Sequence, residues 1–398
     1  MPHHNSVFHS VLKHVPWDEL DRAVERHGAA DRARGFGYKS QFVAMLYAQL
    51  SGASSLREVE AGLQSHASRL YHLGACPARR SSLADANRDR PAAVFSDLLA
   101  AMVQRAHRGL RRALDGATLL VDSTGLRLNG HSANWARFSA RVCGAKLHVV
   151  YDPDADRPVY AAVSTARTTD LTAAKAMPVE PGATYVFDLG YYDYAWWAEL
   201  DAAGCTIVTR LKCNTPLRVT ETRPVPPEAG GAEAAGQAKG GGAVLSDRVG
   251  LLPARLAQSR SNPYGKPVRE VQVRISTGKV LRVVTNDLQA PAQQVADLYK
   301  RRWAIELFFR WVKQTLRITR FLGTSENAVR TQVAAALVAF LLLRMAQATQ
   351  AATQAATSSP LLFARLVRAN LMHLRRLGEL HRPPSQPTTA PGQGTLAL

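Results

Sequence analysis

The stretch ATLLVD, residues Ala117 to Asp122, is a short apolar run that ends in a carboxylate, and the same grammar returns in ATYVFD, Ala183 to Asp188. Runs of this length bounded by turn signals read as buried strands. Between them, KLHVVYD and RPVYAAVST flank the turn DPDAD, which by its turn chemistry makes a hairpin. DLTAAKAM follows as a helix, YDYAWWAELDAAG is a helix stopped by Gly204, and CTIVTRL is a fifth strand. The order strand, strand, strand, helix, strand, helix, strand predicts an α/β domain: a mixed sheet with helices packed on it.

Toward the carboxyl end this pattern breaks. Thr222 to Val244, TRPVPPEAGGAEAAGQAKGGGAV, reads as a flexible loop with little to bury. Strands return in VREVQVRIS and KVLRVVTN around Thr277-Gly278, so a β-rich insertion of about 213–287 separates the fifth strand from a long helix, Pro291 to Leu316. A very apolar helix is predicted from Ser325 to Ala348. An Ala/Gln/Thr-rich spacer then leads to a basic helix with Ser359 as N-cap, Pro360 at the first position and Gly378 at its end. The Pro-rich tail from His381 reads as disordered. Toward the amino end, residues 1–115 read as helical. KSQFVAMLYAQLSG has apolar residues at helical spacing, Ser55 and Glu58 form a capping box, and a helix runs from about Pro91 to Leu114. The linking CPARRSSLADANRDRP carries Arg79, Arg80, Arg88 and Arg90. It serves either a helix-turn-helix-like DNA reader or an ordinary helical domain with a solvated basic loop. The chain thus divides into 1–115, 116–345 and 346–398.

The charge balance points to a polyanion. Fifty Lys and Arg against thirty-one Asp and Glu leave a net +19 spread along the chain. Lysine and arginine placed on phosphates release condensed counterions, which favours nucleic acid over an anionic membrane or a merely basic surface. Four cysteines without a CxxC pair argue against a zinc ribbon and suit a reducing cytoplasm. The first fifteen residues have no long apolar run, so no secretory signal is expected. The longest apolar run, Val333 to Leu343, is too short for a bilayer and reads as a buried helix, with no membrane role.

Carboxylates at the ends of buried strands are costly unless they reach solvent or a cation. Asp122 and Asp188 are two such groups, and hard oxygen ligands suit Mg²⁺, with Mn²⁺ as a substitute, better than zinc. On the long helix, Tyr299, Arg302, Trp303, Glu306, Arg310 and Lys313 fall along one side, while Val295, Leu298, Ile305, Phe309, Val312 and Leu316 pack inward. Glu306 is a lone acid in a basic, aromatic stripe, since residues 296–320 hold seven Lys or Arg and two acids. An internally paired amphipathic helix would explain that stripe alone. Together with Asp122, Asp188 and the net charge, it points to metal-ion phosphoryl chemistry on a phosphate backbone, needing no Ser, Tyr or Cys nucleophile. Tyr299, Arg302 and Lys313 would hold neighbouring phosphates, and Trp303 would stack on an unpaired base or simply pack.

YKRRWAIELFFRWVK fits a Y-x2-R-x3-E-x6-K signature, with Tyr299, Arg302, Glu306 and Lys313 in register. With LLVDSTGLRL, YVFDLGYYDYAWW, VTRLK and FLGTSENAVRTQ in order, residues 35–345 resemble the bacterial insertion-sequence-four family of DDE transposases. The resemblance implies a ribonuclease H-like α/β core with a β-rich insertion and a metal-binding catalytic trio of Asp122, Asp188 and Glu306. It also implies DNA-backbone contacts from Tyr299, Arg302, Lys313 and, more weakly, Trp303. Its implied activity is Mg²⁺-dependent cleavage and strand transfer at terminal inverted repeats, commonly through a hairpin, by a homodimer in a synaptic complex. A catalytically inactive DNA-binding descendant would lack one of the three acids, and none is missing. A ribonuclease H-like nuclease without strand transfer would not need the helical amino-terminal region.

Overall fold

The computed structural model describes residues 5–27, 35–108, 116–225, 243–255, 261–351 and 359–381. Seven helices come first: α1 (Val7–Leu12), α2 (Trp17–Arg26), α3 (Tyr38–Ser51), α4 (Leu56–Ser65), α5 (Ala67–Tyr71), α6 (Arg80–Asp89) and α7 (Ala93–Arg108). The α/β part follows with β1 (Thr118–Leu128), α8 (Ala133–Ala136), β2 (Cys143–Asp152), β3 (Arg157–Thr165), α9 (Asp170–Lys175), β4 (Thr184–Phe187), α10 (Tyr194–Ala202) and β5 (Thr206–Arg210). Then come β6 (Arg218–Arg223), β7 (Ala243–Leu251), β8 (Val268–Arg274) and β9 (Val280–Thr285). The chain closes with α11 (Ala292–Arg301), α12 (Trp303–Thr315), α13 (Glu326–Ala351) and α14 (Pro360–Asn370).

All nine strands form one sheet in the order β3-β2-β1-β4-β5-β9-β8-β7-β6. Strand β1 pairs with β4, and β4 with β5, in parallel, whereas β1–β2 and β2–β3 are antiparallel. The 3-2-1-4-5 half is the ribonuclease H-like order. The insertion departs from β5, crosses to the far edge, and steps back through an antiparallel meander until β9 pairs with β5. It therefore delivers α11 beside the parallel strands. Buried ion pairs hold the meander. Arg269 meets Asp247 through two bonds of 2.8 and 2.7 Å, and the fully buried Glu270 accepts from Arg282 at 2.8 Å and Arg248 at 3.2 Å. Burial works against an ionised Glu270, yet Arg282, Gln272 and Arg248 hold its carboxyl below the usual range.

The two sheet faces feed two cores. Leu120, Leu126 and Leu128 join the large core of the amino-terminal helices and α11–α14, whereas Leu119 and Val121 join a second core with Phe187, Trp196 and Trp197. Helix α13 packs on α3 and α7, so the first helices and the last share one interior. By length and composition α13 alone among the described helices would cross a membrane, but 83% of its most apolar stretch is buried inside the protein.

Several local expectations change. The predicted basic loop at 76–91 contains α6, because Leu83, Ala86 and Asn87 find a buried seat; Arg88 pairs with Asp85 and Asp89, and Arg90 donates to Gln41. Only Arg79 and Arg80 of that quartet are both exposed and unpaired among the described residues. The predicted single helix 291–316 is two helices, broken at Arg302. Helix α14 ends at Asn370, well before Gly378, and its Arg368 donates to the carbonyls of Leu50 and Thr315 instead of facing solvent. Strand β1 does not stop at Asp122 but runs on to Leu128, paired with β2. Ser55 and Ser359 cap their helices as expected, but the Glu58 carboxylate accepts from the amide of Ser54, one residue before the place a capping box puts it. The Pro/Gly-rich loop (226–242), the Ala/Gln/Thr spacer (352–358), the end of the helix placed at 91–114 (109–114) and the tail from 382 lie outside the described residues.

Candidate active site

Parallel pairing of β1 with β4 ends at Val121↔Phe187. The next residue on each strand is Asp122 and Asp188, so the register puts two carboxylates side by side at the point where the strands part. Asp122 lies within β1, with Asp188 just beyond β4. Asp188 leaves the strand and caps a short 3-10 turn, its Oδ1 accepting from the Gly190 amide at 2.8 Å. A side chain at Gly190 would bring a Cβ within 3.0 Å of that same oxygen. Behind β4, the rings of Phe187, Tyr191, Trp196 and Trp197 pack edge-on and tilted against one another beneath the turn.

Glu306 arrives from α12. Helices α11 and α12 break at Arg302, where Arg302 N bonds Tyr299 O and Ile305 N bonds Arg302 O, both at 3.2 Å and both over three residues. At this break Arg302 Nη2 donates to Glu306 Oε1 at 2.6 Å and Nη1 stands 3.6 Å from Asp122 Oδ2. The guanidinium thus ties the helix acid to the first strand acid. Tyr299 is buried, with its ring 6.0 Å from the guanidinium carbons of both Arg302 and Arg210.

Burial, with Asp188 and Glu306 adding to it, pushes the Asp122 carboxyl up to about 6, against the opposing pull of the Ser123 amide and Arg302. Excess negative charge is therefore gathered around Asp122. Among the described residues, no three acidic, histidine or cysteine side chains stand close enough to hold a metal ion as they lie. The donor chemistry nonetheless fits a hard cation: the carboxylates of Asp122 and Glu306 share the Arg302 guanidinium, and Asp188 adds its negative charge at Asp122.

The remaining expected residues lie on α12. Trp303 is 52% exposed, beside Leu307 at 47%, so it is free of the core. Lys313 is half-buried, burial lowers its ammonium, and it makes no ion pair among the described residues. The inward set is as expected for Val295, Ile305, Phe309, Val312 and Leu316, with Leu298 only partly buried. Two features escaped the sequence. Arg210, at the end of β5, faces Tyr299. On the other sheet face, Asp170 accepts from Ser123 Oγ at 2.7 Å and Lys146 Nζ at 3.0 Å, while the Ser123 amide holds Asp122 Oδ1 at 2.8 Å. No spacing rule links Asp170 to β1; only the fold brings them together.

A 3-2-1-4-5 sheet with one acid on its first strand, one just past its fourth and one on the helices after an insertion belongs to the ribonuclease H-like class of nucleic-acid enzymes. Residues 114–342 match the family model described as Transposase DDE domain, and residues 3–76 match a domain of unknown function (DUF4372). A putative transposase of Sinorhizobium fredii (strain NBRC 101917 / NGR234) is 38% identical over 302 residues, covering 76% of this chain and 80% of the relative. A probable insertion-sequence transposase of Geobacillus stearothermophilus is 28% identical over 360 residues, covering 86% and 85%. Among solved structures, a piggyBac transposase synaptic complex with hairpin DNA aligns with 98% of this chain and 87% of its own, at 11% identity and a TM-score of 0.47. The chain belongs to the DDE transposase family, among transposases of bacterial insertion sequences.

Proposed function

We propose that this chain binds the terminal inverted repeats of its own insertion sequence and carries out divalent-metal-dependent DNA cleavage and strand transfer, as a homodimer acting in the cytoplasm. The observation that carries this reading is the pairing of Asp122 and Asp188 one step past the last β1–β4 pair, with Glu306 tied to Asp122 through Arg302. Asp122, Asp188 and Glu306 would hold Mg²⁺ or Mn²⁺, which when bound supplies charge neutralisation for phosphoryl transfer and activates a water or a 3′-hydroxyl.

The protein's own groups do the rest. Arg302, freed from the carboxylates, presents a planar fork to two phosphate oxygens. Tyr299 and Arg210 wall that position, and Lys313 offers an unpaired ammonium to the next phosphate. Trp303, already in solvent, can stack on a base at no cost to the core. Ser123, pinned by Asp170, holds one oxygen of Asp122 through its amide, which fixes the orientation of that carboxylate. We assign end recognition to residues 1–115, catalysis to 116–345 with the insertion at about 213–287, and a supporting role to 346–398. Arg79 and Arg80 are the exposed cations through which the first region would grip phosphates.

The test is nicking of a duplex bearing the element's own end in the presence of Mg²⁺. Asp122→Ala, Asp188→Ala and Glu306→Ala should each abolish nicking while binding to the same duplex persists. Retained nicking by Asp188→Ala removes the assignment.

A further inference from the structure

Strand β1 continues past Asp122 to Leu128, paired on that stretch with β2 alone. Where it ends, a cleft of about 300 Å³ opens between the end of β1, the turn after α3 and the loop from α12 to α13. Its wall carries Arg127 and Arg320 and the polar side chains of Asn129, Thr319 and Ser54, the last already bonded to Glu58 at 2.6 Å. Neither arginine makes a side-chain ion pair among the described residues, and both are exposed. Several arginines elsewhere, among them Arg88, Arg269, Arg282 and Arg302, are taken up by carboxylates.

The cleft is held by contacts that leave the guanidinium groups of Arg127 and Arg320 unused. The buried Gln332 side chain donates to Arg320 O at 2.8 Å and accepts from Leu322 N at 2.8 Å, clamping the loop from within α13. Ser132 Oγ and Trp135 Nε1 both donate to Thr324 O, at 2.8 and 3.0 Å, tying that loop to the segment after β1. Arg317, in the left-handed region at φ 54°, turns the chain out of α12, and its guanidinium holds Gly52 O at 2.7 Å. Two exposed arginines without ion pairs among the described residues, lining one polar cleft with Asn129 and Thr319, offer an anion both charge and hydrogen-bond donors.

We propose that this cleft is a second phosphate site, in which Arg127 and Arg320 grip the DNA backbone away from the scissile bond. The proposal rests on the reading of the chain as a DNA-cleaving enzyme. Arg127 follows Asp122 by five residues on one strand, roughly 17 Å at about 3.3 Å per residue. Since duplex DNA rises about 3.4 Å per base pair, the phosphate held here lies about four to seven base pairs from the cut. The cleft would thereby set which phosphate reaches the acids.

The test compares the full chain with Arg127→Ala/Arg320→Ala and Arg127→Lys/Arg320→Lys. Its probes are a duplex bearing the element's end, and the same duplex with single methylphosphonates walked along one strand. The alanine pair should lower the slope of log affinity against log salt by about two, and the lysine pair should restore most of it. A methylphosphonate about four to seven base pairs from the cut should weaken wild-type binding and leave the alanine pair indifferent. Thermal melting of the alanine pair should be unchanged, because neither guanidinium makes an ion pair among the described residues. An unchanged salt slope and unchanged methylphosphonate sensitivity in the alanine pair would overturn the proposal. A large melting drop would also overturn it by making the arginines structural. Failure of the wild type to bind the duplex at all would instead bring down the DNA reading itself, and this assignment with it.

Discussion

Arg302 donates to Glu306 at 2.6 Å across the first turn of α12, while its other terminal nitrogen stands 3.6 Å from Asp122. The arginine sits where α11 breaks from α12, so its backbone is not carried on a continuous helix and its side chain is set by its partners. In the free protein it supplies the positive charge among the acids; in action it would exchange them for phosphate.

Arg302→Lys tests this exchange. A lysine keeps the charge but loses the fork, and a misdirected phosphate commonly slows such chemistry by about a hundredfold. End binding and the dependence on Mg²⁺ should stay near wild type, with little change in melting temperature. A large drop in melting with normal nicking per folded molecule would show that Arg302 serves stability alone.

Asp122→Asn should stabilise the metal-free protein while abolishing nicking. The folded-state carboxyl lies near 6, above its unfolded value of 3.8, so the folded chain holds its proton more tightly. That contribution is full below about pH 4 and is lost as pH rises through 6, a cost on the order of 2–3 kcal/mol by neutral pH. Melting of wild type and Asp122→Asn in chelator should therefore coincide near pH 4 and diverge above pH 6, with the variant higher. Added Mg²⁺ should raise the wild type more than the variant. Equal melting of the two proteins at pH 7.5 in chelator would contradict the charge crowding inferred here.

Gly190→Ala should impair catalysis with little effect on folding. Its Cβ would lie 3.0 Å from Asp188 Oδ1, tight enough to push the carboxylate off the Gly190 amide, whereas the turn itself is partly exposed. A displacement of a few tenths of an ångström predicts a loss of roughly tenfold in nicking rate. The apparent Mg²⁺ requirement should shift upward in titrations. An unaltered Mg²⁺ titration would argue that Asp188 does not depend on this turn.

Asp247→Ala should be among the most damaging changes outside the site. It leaves the Arg269 guanidinium, 4% exposed, buried between β7 and β8 without its carboxylate, which costs about 3–5 kcal/mol. Because Arg269 also holds Ala290 O at the entry to α11, the damage should reach α11 and so Glu306. Urea melts would measure the loss directly, and Asp247→Asn should recover only part of it.

The sequence by itself determined the local grammar. Short apolar runs ending in Asp122 and Asp188, the hairpin at DPDAD, the helical face bearing Glu306, and the caps at Ser55 and Ser359 all follow from periodicity and turn chemistry within one element. The three acids could be nominated because a carboxylate beside buried strands, or alone in a basic stripe, is anomalous locally. What needed the tertiary structure was everything fixed by contacts distant in the chain. Register decided that Asp122 and Asp188 are neighbours, and pairing with β2 decided that β1 runs on to Leu128. The break at Arg302 has no proline or glycine to announce it, and α6 hid in an Arg-rich segment because its few apolar residues are stabilised only by the helices around it. Whether an arginine is free for phosphate, as Arg127 and Arg320 are, or consumed by a buried acid, as Arg269 and Arg282 are, is set by which side chains lie across from it in the folded sheet. Composition counts charge, but only packing decides which charges are left unpaired.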